Sequence, residues 1–136
     1  MTNEAVLIYE TAKPIPFTVA DGTGIEKGAI LKMTDPMTAV LADGDGDIIA
    51  GIAAEEKIAN DGKTKLGVYR EGIFRVLAGT AVTIGTPVDT HASTGATNEV
   101  AAAPVNGEQI LGFSLETAAD TDTFLIELKP MQVNLA

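Results

Sequence analysis

The chain has 136 residues, 46% of them hydrophobic but only 4% aromatic, with no tryptophan and no cysteine. That length suits one domain able to bury its own core, and the missing cysteines exclude disulfides, thiolate catalysis and cysteine-ligated zinc. The formal charge of −10, from 9 basic and 19 acidic residues, repels phosphate, so neither nucleic acid nor an anionic membrane is expected as a partner.

The first stretch, "AVLIYETAKPIPFTVADGTG" from Ala5, has neither the basic start nor the continuous apolar run of a signal peptide. No apolar run anywhere reaches the roughly 20 residues of a membrane helix, so the expectation is a soluble protein made in the cytoplasm. Ala5–Tyr9 is apolar and extended in type. Pro14 and Pro16 then remove backbone donors at alternate positions, which suits an open edge rather than a central strand. Residues 1–20 read as an extended N-terminal arm, with an edge strand of the same sheet as the alternative.

Beyond the arm, β-branched residues gather in short runs between Gly, Asp, Asn and Thr, the mark of many short strands joined by turns. Strands are expected at 28–33, 37–42, 47–53, 64–70, 73–77, 81–84, 109–115 and 123–129. "YREGIFRV" reads as a tight hairpin turning at Glu71-Gly72, and "ANDGKT" as a turn at Asp61-Gly62. A helical turn over 53–59 is the one helical candidate, and no cap supports it. "THASTGATNEVAAAPVNGEQ" (90–109) is small and polar, a surface loop with at most a short strand around Glu99-Val100. The basic residues cluster at Lys57, Lys63, Lys65, Arg70 and Arg75, interleaved with acids as on a solvated face.

The sequence also echoes itself. "IIAGIAAEE" (48–56) matches "QILGFSLET" (109–117) as Ile-x-Gly-apolar-small-x-Glu, aligning Gly51 with Gly112 and Glu55 with Glu116. Upstream, Gly28 and Gly85 correspond. The fold class expected is all-β: one compact barrel or sandwich of short strands, with the arm at 1–20 and a β-domain at 21–136. That domain divides into two duplicated units at about 21–78 and 79–130, neither able to bury its apolar face alone.

Sites of chemistry are scarce. In "VLADGDGDIIAGIAAEE", Asp43, Asp45 and Asp47 alternate as in a calcium loop. Counting from Asp43, however, the sixth position is Ile48 and the twelfth Ala54, where that loop needs Gly and Glu. A strand–turn–strand reading needs only Gly44 and Gly46, so no metal site is assigned. His91 stands beside Asp89 and Ser93, too close in sequence for a triad, and no nucleophile elbow exists. Gly22 and Gly24 lack the Lys-Ser/Thr of a phosphate loop. No enzyme activity and no cofactor are expected.

One stretch carries a family likeness. "IAGIAAEEKIANDGKTKLGVYREGIFRV" (49–76) runs apolar-x-Gly-Ile-x-Ala, a polar turn, then Thr-x-Leu-x-x-Tyr-x-x-Gly-x-Phe-Arg. This resembles the head decoration proteins of the bacteriophage lambda type, and "IGTPVDT" is similar to the wider capsid cement proteins of tailed phages. The resemblance implies a structural virion protein on the outer surface of an expanded icosahedral head. It would sit as a homotrimer at three-fold positions, with the major capsid protein of the same virus as partner. It also implies an N-terminal capsid-binding arm, here Val6, Leu7, Ile8 and Tyr9 with Pro14, Ile15, Pro16 and Phe17. Such an arm pairs with shell strands by β-augmentation. The chain is longer than the lambda protein after Arg75, so trimer contacts do not carry over. A tail or spike component and a calcium- or carbohydrate-binding β-module are the alternatives.

Overall fold

The computed structural model describes residues 4–42, 48–90, 99–102 and 109–132. Among them there is no helix. β2 (Ile15–Thr18), β3 (Ile30–Asp35), β4 (Thr38–Leu41), β5 (Ile49–Ala53) and β6 (Lys65–Tyr69) close a barrel in the order β2-β4-β3-β5-β6. β7 (Gly72–Ala78), β8 (Pro87–Thr90), β9 (Glu99–Ala102), β10 (Gln109–Ser114) and β11 (Thr123–Gln132) follow in the order β7-β11-β10-β8-β9. A parallel pairing of β9 with β7 closes that second ring. β1 (Val6–Tyr9) lies antiparallel on the edge of β7.

Period-two patterning builds the walls. β7 alternates buried and half-buried residues along its length, as a strand with one face in a core must. Phe17, Val19, Ile25, Leu31, Leu66 and Val68 fill the first barrel. β5 is buried throughout, because both its faces are used. Ala50 and Ala53 turn into the first barrel, while Ile49 and Ile52 join Phe74, Phe124 and Leu128 of the second. One apolar cluster therefore runs across the seam.

The two rings share a set of backbone bonds. Ile25 and Lys57 form an isolated bridge, and so do Val82 and Ala118. Gly28 N–H donates to Ala53 O, and Gly85 N–H to Ser114 O. Ala54 N–H donates to Gly67 O, and Leu115 N–H to Leu125 O. Gly28 and Gly85 have φ of 84° and 81°, while Asn60 and Thr121 have 64° and 73°. Each ring closes on a parallel pair, Thr18 with Thr38 in the first and β7 with β9 in the second.

Several expectations change. Tyr69 and Gly72 do not flank a hairpin: β6 pairs with β2 and β5, and β7 with β1, β9 and β11. Arg70-Glu71 is instead the crossover between barrels, pinned where the Tyr69 and Phe74 rings meet edge to face at 5.6 Å. The units accordingly part at 70–71, and β2 belongs to the first. The stretch 81–84 forms only the Val82 bridge, and the strand comes later, as β8. No helix forms over 53–59, where Lys57 bridges to Ile25. Within the expected loop, the short strand around Glu99-Val100 does form, as β9, and it is a wall of the second barrel.

Candidate functional site

The stretch read as an arm is shared between the barrels. Phe17 is 1% exposed inside the first barrel, whereas Val6, Ile8, Tyr9 and Ile15 are 46%, 42%, 64% and 39% exposed. Leu7 and Pro14 are half-buried, and Pro16 is exposed. β1 acts as a strap. It pairs with β7 of the second barrel, and Ala5 N–H donates to Gly28 O of the first at 3.0 Å. A cavity of about 250 Å³ lies beneath it, lined by Glu4, Leu7, Lys27, Ala54, Tyr69 and Phe74 among others. Burial, with a smaller push from Glu10, raises the Tyr69 phenol above its ordinary pKa.

The strap's register arranges an outer face. Val6 stands opposite Arg75, which stands opposite Leu125; Tyr9 stands opposite Ile73, which stands opposite Glu127. An irregularity between Leu7 and Tyr9 breaks the alternation, so Ile8 and Tyr9 are exposed in succession, as bulges allow. Arg75 reaches Glu116 at 3.7 Å, an exposed pair that orients more than it stabilises. Sequence reasoning singled out Val6, Ile8 and Ile15 but missed Ile73, Arg75 and Leu125. The period-two alternation of 72–78 was their only signal.

A second cluster holds the far end of the first barrel. Lys57 is 1% exposed. Its Nζ donates to Asp61 Oδ1 at 2.7 Å, to Asp21 O and Ile58 O at 3.0 Å, and to Asp21 Oδ1 at 3.2 Å. Burial pulls the ammonium's pKa down, but the bonds to Asp61 and Asp21 outweigh it and leave it raised. The Lys57 bond, then the Lys63 N–H, hold Asp61 at about 2. The second barrel has Ala118 where the first has Lys57, so the cage reinforces a turn that forms without it. Lys57→Met is therefore expected to fold, with a melting temperature lower by about 5 °C at pH 7. Because Asp61 is depressed, its contribution is full above pH 3.8 and is lost as pH falls towards 2. Acid titration followed by circular dichroism should show that loss in the parent and a shallower one in Lys57→Met.

Among the described residues no group of three His, Asp or Glu side chains converges on a metal position. Asp43, Asp45, Asp47, His91 and Ser93 lie outside them. Asp89 is buried on β8. The surface offers an apolar, strand-edged face at β1.

Residues 9–130 match the family model described as phage cement protein. No curated protein matches the chain. Among solved structures, the head fiber gp8.5 N base of bacteriophage phi29 is similar in fold, with a TM-score of 0.58 at 13% identity. The likeness covers 88% of this chain and 97% of that one.

Proposed function

The chain belongs to the phage cement protein family, and from that premise we propose that it binds the outer surface of an expanded icosahedral head and stabilises the shell. It acts as a homotrimer at three-fold positions, with the major capsid protein as partner, and it catalyses nothing. The observation that carries this reading is the β1 strap. Three exposed apolar side chains, Val6, Ile8 and Tyr9, stand together on a chain of charge −10. A strap tied to both barrels offers a shell a rigid apolar strip, and an aromatic such as Tyr9 is the commonest kind of interface anchor. Weak contacts repeated over a lattice and linked within a trimer give avidity without a deep pocket. Phe17 is committed to the barrel interior, so binding rests on Val6, Ile8, Tyr9 and Ile15.

The test is co-sedimentation with expanded, undecorated heads. Saturable binding near one copy per shell subunit is expected. Val6→Glu with Tyr9→Glu should weaken it at least about tenfold, or 1.4 kcal/mol, without lowering the melting temperature. Absence of binding to any head would overturn the reading.

A second reading, the seat of a fibre on the head, is favoured by the likeness to the phi29 head fiber base. It shares the fold and differs in stoichiometry. Antibody labelling of virions at isolated points, rather than over the whole shell, would select it.

A further inference from the structure

The two barrels differ at one edge. In the second, β7 carries β1 along Ile73–Arg75 and β9 along Leu77–Ala78. In the first, β2 meets β4 only at Thr18 and Thr38. The edge of Ile15–Phe17 that corresponds to the β1 position carries no strand among the described residues.

Strand alternation identifies which groups face that edge. Thr18 N–H donates to Met37 O beside β4, while Val19 N–H donates to Thr64 O on the β6 side. Backbone groups two residues apart point the same way, so position 16 faces the open edge with Thr18. In the second barrel Ala78 N–H donates to Asp122 O on the β11 side and Gly79 N–H to Val100 O on the β9 side. Ile73 and Arg75 therefore face β1. Pro16 pairs with Gly67 as Arg75 pairs with Leu125, so the repeat places Pro16 where the second barrel has Arg75, the residue opposite Val6.

We propose that Pro16 makes strand addition one-sided: it bars the free edge of β2 from taking β1 of a neighbouring copy, so that β1 pairs with β7 alone. A proline there has no N–H to offer, and its ring occupies the space an incoming strand needs. Exposed edges with open donors and acceptors invite pairing between copies, and proline is one of the devices that prevents it. The threat is specific, because every copy carries a β1 that already fits the matching edge of the other barrel. This inference needs only the repeat and the strand pairing, and it stands whether or not the chain binds a shell.

The experiment is Pro16→Arg, which installs the residue of the matching position, with Pro16→Thr as an uncharged companion. Mass is measured by light scattering across a hundredfold concentration range, and backbone exchange is followed by NMR. Both variants are expected to form species larger than the parent as concentration rises, with the residue 16 amide protected only in those species. Removing residues 1–9 from either variant should return the mass to that of the equally shortened parent. A mass unchanged from the parent at every concentration overturns the proposal. So does growth that persists without residues 1–9, or growth with an unprotected residue 16 amide, since either would mark apolar aggregation rather than pairing with β1.

Discussion

Gly51→Ala is expected to cost about 4 kcal/mol, enough to remove much of the stability of a chain this size. Two separate penalties add. Gly51 has φ of 146°, where a side chain is strained by about 1–3 kcal/mol. Its missing Cβ also faces the Tyr69 carbonyl, with Val68 Cγ1 2.8 Å from where that atom would stand. Overpacking of this kind costs about 1–3 kcal/mol more. Gly112 is the repeat's counterpart, and an added Cβ there meets the Glu127 carbonyl carbon at 2.9 Å. Its φ is not positive, so Gly112→Ala carries the crowding penalty alone and should cost about 2 kcal/mol. Denaturant titration separates the two: the Gly51 variant should be the weaker by about 2 kcal/mol. A single transition is expected in both, since Ile49 and Ile52 of one barrel share a cluster with Phe74 and Phe124 of the other. A Gly51→Ala protein as stable as its parent would mean that the wall of the first barrel moves freely, against the close approach of β5 and β6.

Those two glycines also mark how far the sequence could be read. The Ile-x-Gly echo aligned both positions, because a glycine forced by a neighbouring carbonyl recurs wherever the unit recurs. The strand count was largely legible for the same reason: alternation in 65–69 and 72–78 follows directly from one buried face. Pairing was not. "YREG" has the local chemistry of a hairpin, and only the pairing of β6 with β2 and β5, and of β7 with β1, β9 and β11, shows that the chain crosses to a new barrel there. β9 was legible only as a short strand around Glu99-Val100, and its place in a barrel wall was not, since a strand whose pairing lies in its backbone needs no large side chain to announce it. The arm was misjudged through its prolines. Pro16 does mark an edge, as read, but the edge belongs to a closed barrel rather than to a free segment. The Lys57 cage had no signal, because Asp21 is brought to it from a distant part of the chain.

Removing residues 1–20 is expected to unfold the first barrel, whereas removing residues 1–9 should leave both barrels standing. The longer cut deletes β2, whose pairings with β6 and β4 close the ring. It strips Phe17 and Val19, 1% and 2% exposed, from the interior, and loss of the phenylalanine alone is worth about 3–5 kcal/mol. It also removes Asp21's neighbours and bares two new strand edges, so the product should aggregate. The shorter cut takes only β1 and the Ala5 contact, and it opens the cavity over Tyr69 and Phe74 without breaking either ring. A loss of about 2–3 kcal/mol, mostly buried Ala5 and half-buried Leu7, is the expected size. Proton NMR dispersion and melting curves of the two truncations check this directly. The distinction governs how a shell-binding experiment is interpreted: failure of the 1–20 truncation to bind would report an unfolded barrel. Failure of the 1–9 truncation, with its spectrum intact, would report the strap. Should the 1–20 truncation fold as well as its parent, β2 would be an appendage after all, and Phe17 would return as a shell anchor.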